Sequence, residues 1–276
     1  MLYDHGDGTA CVLWARTELG YFIRFPELAD FLISPAGDRV EYLADGAEVA
    51  PETLRHLLID QVLPTVLSLR GRQAIHATAV MTPSGLCAFT GPSGTGKSTL
   101  AAKFLLSGYP TFGDDCLAVE DTGDHIFGAP AYPGLRLWSD SFDSLAGNPI
   151  SADLDGAKWV SDYSWKYRAF DSESAACFPS DPQPLAIIYR VVRETKADHG
   201  ACGAPLIEHL SARDGLVELL NASFRLDLVN REILSREFRF FERMALKVPI
   251  RRLRMPDDFA ALPAVQSAVL NDLATL

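Results

Sequence analysis

Hydrophobic positions before residue 72 fall into short, closely spaced runs. Residues 9–14 and 19–25 have strand-like composition, and residues 31–34 and 39–43 predict a hairpin across Pro35, Ala36, Gly37 and Asp38. Then the period lengthens. Leu54, Leu57, Leu58, Val62 and Leu63 recur at helical spacing behind Pro51, which suits a first helical position. Pro64 predicts a kink and Gly71 an end to that helix. The pattern predicts a small β-rich α+β accessory unit over residues 1–72, with packing or recognition as its role.

The rest of the chain, residues 73–276, reads as one α/β domain with a mixed sheet. Residues 74–81 predict one strand, Pro83, Ser84 and Gly85 a turn, and residues 86–90 a second strand. A glycine-rich loop follows, and residues 98–106 predict a helix closed by Gly108. Further strands are expected at 116–120, 134–138, 185–192 and 250–254, and helices at 213–221, 230–246 and 262–273. Residues 148–184 are polar and aperiodic, carry Trp159, Tyr163, Trp165 and Tyr167, and predict a long functional loop.

Composition narrows the classes. With 276 residues and 48% hydrophobic content the chain can bury a full core. Its net charge of −11 argues against duplex nucleic acid or an anionic membrane surface as the main partner. Cys11, Cys87, Cys116, Cys177 and Cys202 are scattered without zinc spacing, so reduced thiols are expected. The first residues lack a signal-peptide pattern, and no apolar run approaches bilayer length. A soluble, cytoplasmic protein is the expectation.

The strongest chemical signal is GPSGTGKS at residues 91–98, between a predicted strand and a predicted helix. Gly91, Gly94 and Gly96 permit backbone angles and close approaches that a Cβ forbids. The N–H groups of such a loop, with those of Ser93, Thr95 and Thr99 around it, point at phosphate from a helix N-terminus. Lys97 adds a point charge, and the Ser98 hydroxyl suits Mg²⁺. A nucleoside triphosphate, ATP or another, is the ligand these residues predict.

Asp114 and Asp115 follow Lys97 by one helix, a turn and a short strand, which returns them to the phosphate end of the sheet. Two adjacent carboxylates there suit a division of labour, one holding Mg²⁺ and one accepting a proton from an attacking hydroxyl. His76 begins the strand that leads into the hairpin, whose register can bring it beside Asp114. Together His76, the loop and the Asp114–Asp115 pair resemble the catalytic domain of HPr kinase/phosphorylase. More distantly they resemble phosphoenolpyruvate carboxykinase.

That resemblance implies a P-loop kinase fold of the same type and a bacterial serine kinase dependent on ATP and Mg²⁺. It implies Lys97 on the phosphates, Ser98 and Asp115 on the metal, Asp114 as base or acid and His76 supporting Asp114. It also makes a homo-oligomer plausible. Stretches beginning at Leu54, Ala131 and Ser223 are similar to a subgroup found in bacterial peptide-biosynthesis clusters, including kinases of lasso-peptide precursors. A serine-bearing peptide or small protein is the partner implied. The Glu-Ile-Arg-Gly-type signature of the family is reduced to Pro133, Gly134, Leu135 and Arg136, without its carboxylate, which puts reverse phosphorolysis in doubt.

Transfer also calls for a second cation near the γ-phosphoryl group. Arg136, Lys166 and Arg168 are the candidates. A nucleotide-binding sensor without catalysis and a small-molecule hydroxyl kinase stand as alternatives at this point.

Overall fold

The computed structural model describes residues 2–4, 10–43, 49–131, 134–145, 158–159, 166–169, 179–194, 204–224 and 229–276. Strands β1 (Leu2–Asp4), β2 (Ala10–Thr17), β3 (Gly20–Phe25), β4 (Ala29–Ile33) and β5 (Val40–Leu43) form an antiparallel meander in chain order. Alternation buries Tyr21, Ile23 and Phe25 on β3 and Ala29, Phe31 and Ile33 on β4, so one face is apolar. Leu57, Val62 and Val66 cover that face from a helical segment. This segment is α1 (Pro51–Leu57), a π turn (Leu58–Val62) and α2 (Leu63–Leu69). The expected irregularity near Pro64 is thus taken up one turn earlier. Pro64 follows the π turn directly, and the wider turn accommodates a ring that has no N–H to donate back along the helix.

The second sheet runs in the order β6 (Gln73–Ile75), β10 (Leu117–Asp121), β11 (Ile126–Ala129), β15 (Gln183–Glu194), β8 (Gly85–Thr90), β7 (Ala77–Thr82) and β9 (Thr111–Gly113). Strand β17 (Ile250–Pro256) pairs with β15, and β16 (Leu206–His209) with β17. Strands β8, β15 and β17 are mutually parallel, so their C-terminal ends converge where the glycine loop leaves β8. Side chains alternate across this sheet. Cys87, Phe89, Ile187, Tyr189 and Val191 pack under α3 (Lys97–Leu106) and α7 (Leu262–Leu273). Leu86, Ala88 and Ile188 pack under α5 (Ala212–Ala222) and α6 (Arg231–Lys247) on the other face. The result is a mixed α/β sandwich with helices on both faces.

Two expectations change. The strand expected over 74–81 is two strands broken at His76, because β6 pairs with β10 while β7 pairs with β8 and β9. The aperiodic stretch 148–184 contributes regular structure: β13 (Lys158–Trp159) and β14 (Lys166–Ala169) pair beside β12 (Leu135–Trp138), and β12 runs directly into α4 (Ser139–Leu145). Tyr163 and Trp165, and with them most of that stretch, lie outside the described residues. Polar contacts join the N-terminal unit to the larger one. Ser68 Oγ donates to the buried Glu237 of α6, and Arg236 Nη2 donates to the Ser68 carbonyl at 2.7 Å.

Candidate active site

The loop after β8 is shaped by positive φ at Gly91 (142°), Gly94 (82°) and Gly96 (94°). A Cβ on Gly91 would stand 2.9 Å from the Val191 carbonyl oxygen of β15, so loop and neighbouring strand touch as backbones. Gly96 caps α3 in the left-handed conformation, which turns Lys97 and Ser98 onto the first turn of the helix. Lys97 is buried, and its Nζ donates to the carbonyls of Gly91 (2.9 Å) and Pro92 (3.1 Å). Ser98 Oγ donates to Asp114 Oδ1 at 2.8 Å, and Thr99 Oγ1 donates to Ser141 Oγ at 3.0 Å. Thr95 folds its hydroxyl onto the Pro92 carbonyl, while Ser93 and Gly94 line the cleft above the loop.

Asp114 and Asp115 follow the short strand β9 and differ sharply in surroundings. Asp114 is fully buried. Its Oδ1 accepts from Thr78 Oγ1 (2.6 Å), Ser98 Oγ and the Asp115 N–H (3.1 Å), and its Oδ2 accepts from the Arg136 N–H (2.8 Å). Burial, reinforced by the Asp115 charge, pushes its carboxyl above the ordinary value against the pull of Arg136 and these donors. Asp115 has φ 59°, a left-handed conformation that a short polar side chain tolerates, and it lines the cleft together with Lys97 and Ser98. Its carboxylate pairs with Arg136 Nη2.

His76 sits at the break between β6 and β7, and its backbone N–H donates to the Ala222 carbonyl at 2.6 Å. Burial holds its imidazole below the ordinary value, so the ring is neutral, and Nδ1–H donates to the Asp115 carbonyl at 2.9 Å. The expected partner was Asp114. The observed hydrogen bond instead fixes the backbone of the residue in the strained conformation.

Arg136 is 3% exposed and lies at the cleft wall. Its guanidinium forks between two carboxylates, Nη2 to Asp115 and Nη1 to Asp60 of the π turn. His56 Nδ1 meets the same Asp60 oxygen at 2.7 Å, and burial keeps this imidazole neutral as well. Neither His56 nor Asp60 stood out in the sequence. An i, i+4 His–Asp pair on a helix reads as a surface pair, and nothing local announces an arginine 76 residues further along the chain. Arg193, at the end of β15, was also missed. It lines the cleft, donates to the Gly94 carbonyl at 3.3 Å and pairs with Asp257.

The backbones of Lys166 and Arg168 lie in β14 opposite Trp138 and Arg136. Their side chains fall outside the described residues. Cys116, beside the aspartates, has its thiol pushed up to about 12 by burial and is no nucleophile.

Among the described residues no group of three or more His, Cys, Asp or Glu side chains forms a metal cluster. Mg²⁺ carried by a nucleotide does not require one, since phosphates and waters supply most of its ligands. The residues present fit that case. Ser98 Oγ spends its proton on Asp114, which leaves its lone pairs for a cation, and Asp115 opens onto the same cleft. Met255, Pro256, Phe259 and Leu262 line the same cleft beside Asp258, with Met255 next to Gly96 of the loop.

No protein-family model matches this chain, and no curated protein matches it. Among solved structures, the HPr(Ser) kinase/phosphatase from Coxiella burnetii is similar over 74% of this chain and 97% of its own, with a TM-score of 0.41 and 10% identity.

Proposed function

We propose that this chain is a Mg²⁺- and ATP-dependent kinase that passes the γ-phosphoryl group to a serine hydroxyl of a peptide or small protein. One observation carries the reading. The loop serine donates to a buried aspartate at 2.8 Å while the adjacent aspartate faces the same cleft. A glycine-rich turn with a merely structural role has no use for either feature. The apolar side chains of Met255, Phe259 and Leu262 in the cleft lining suit the base of the nucleotide.

The division of labour between the carboxylates is, in this reading, the reverse of the one expected from the sequence. Asp114 is enclosed by four donors and orients the Ser98 hydroxyl from behind. Asp115 faces the cleft and takes the proton of the acceptor hydroxyl as the phosphoryl group reaches it. Mg²⁺, when bound with the nucleotide, supplies neutralising charge at the phosphates. Lys97 turns from the Gly91 and Pro92 carbonyls to the phosphates on binding. Arg136 pairs with Asp115 and orients its carboxylate, which suits a loose transition state, because such a transition state demands orientation more than base strength.

The test separates transfer from binding. Asp115→Asn should abolish phosphoryl transfer to a serine peptide with nucleotide affinity nearly unchanged, whereas Asp114→Asn should weaken Mg²⁺-dependent nucleotide binding as well. Loss of nucleotide binding in Asp115→Asn, with transfer abolished but nucleotide binding kept in Asp114→Asn, would restore the other assignment.

A further inference from the structure

The N-terminal unit places a carboxylate where a surface helix would not. Asp60 lies on the π turn and is 1% exposed. A π turn shifts the residues after it around the helix axis, and such turns recur at functional sites. A buried carboxylate is costly unless paired. Asp60 finds its cation across the unit boundary, in Arg136, and His56 one turn earlier completes its shell.

Arg136 is itself buried and its second nitrogen holds Asp115. The guanidinium is planar, so fixing Nη1 on Asp60 fixes the direction in which Nη2 points. The Asp115 backbone is already set by its left-handed conformation and by His76 on its carbonyl. The remaining freedom is that of its carboxylate, which pairs with Arg136. The chain of contacts therefore runs from the N-terminal unit to the group that faces the cleft.

We propose that Asp60 is a positioning residue of the transfer site, acting through Arg136 on Asp115, with His56 holding Asp60 in place. The N-terminal unit is thereby part of the active centre and not only a packing or recognition module. The inference rests on the kinase reading above. Breaking a buried ion pair that merely ties two units together would weaken nucleotide binding together with transfer. Breaking a positioning pair lowers turnover while nucleotide affinity is kept.

A kinetic double-mutant cycle on the full chain distinguishes these. The variants are Asp60→Asn, Arg136→Lys and both together, assayed for Mg-ATP turnover on a serine peptide and for affinity toward a fluorescent ATP analogue. Asp60→Asn should lower kcat about tenfold or more, the scale of a misplaced reacting group, with nucleotide affinity within about twofold of wild type. The double variant should be no slower than Arg136→Lys, because Asp60 acts only through that arginine. Independent, multiplying losses in kcat, or a parallel fall in nucleotide affinity, would overturn the proposal. Should Asp60→Asn fail to fold, His56→Gln, which removes a ring touching both Asp60 and Arg136, takes its place in the same cycle. A wild type that binds nucleotide but turns over no peptide overturns the kinase reading itself, an outcome distinct from an active wild type whose Asp60→Asn variant is equally fast.

Discussion

Thr78→Val isolates the way Asp114 is held. Valine keeps the size and branching of threonine and removes only the hydroxyl, which donates to Asp114 Oδ1 at 2.6 Å, the shortest of the four contacts on that carboxylate. Loss of one donor to an ionised, buried carboxylate costs about 1.5–3 kcal/mol, against about 0.5–1.5 kcal/mol when the acceptor is neutral. The carboxyl of Asp114 already sits above its ordinary value of 3.8 through burial. A group raised on folding stabilises most below its unfolded value and loses that contribution as pH rises through its folded value. Removing Thr78 Oγ1 raises the folded value further. The deficit of Thr78→Val should therefore be about 1 kcal/mol near pH 4 and grow to about 2–3 kcal/mol at neutral pH and above. Urea denaturation in EDTA at several pH values measures this, and Thr78→Ser should recover most of the loss. A deficit below about 0.5 kcal/mol, or one that does not change with pH, would refute an ionised Asp114 held by this hydroxyl.

Two further expectations concern the loop and the periphery. Gly91→Ala should be more damaging than Gly94→Ala: both have positive φ, but the new Cβ at 91 meets the Val191 carbonyl at 2.9 Å while the one at 94 meets nothing within 4 Å. Denaturant titrations should give a further loss of about 1–3 kcal/mol for Gly91→Ala over Gly94→Ala, and nucleotide binding should fall with it. Asp121 accepts from Lys247 Nζ (2.5 Å) and Arg243 Nε (2.9 Å) and is held down to about 2 by them. That contribution is present above the unfolded value and fades as pH falls through 4 toward 2. With Arg243 half exposed, Asp121→Asn should cost only about 1 kcal/mol at pH 6 and less at pH 3, in urea titrations at both.

What could be read from the sequence was what local backbone chemistry dictates. Gly91, Gly94 and Gly96 are required by positive φ, and Lys97 and Ser98 follow from the start of a helix. The return of Asp114 beside Ser98 could be anticipated from chain length, because one helix, a turn and a short strand consume the interval. The break at His76 could not. Residues 74–75 and 77–80 are all buried on either side of His76, and only pairing with different neighbours divides the stretch. Asp60 and His56 escaped notice for a related reason. Their burial is conferred by Arg136, a residue distant in sequence, and by a π turn that no hydrophobic period encodes. The assignment of roles within the aspartate pair likewise depends on which side chain faces the cleft. Spacing alone is silent on that.

Transfer from nucleotide to a serine hydroxyl at this cleft leaves a label that can be followed. The most direct measurement follows γ-labelled ATP with Mg²⁺ and a panel of serine peptides, read by mass spectrometry for wild type and Asp115→Asn. Wild type should place one label on a peptide serine, with none transferred without Mg²⁺ and none by Asp115→Asn. Nucleotide bound in a Mg²⁺-dependent manner with the label left on it, or equal transfer by Asp115→Asn, would contradict this expectation.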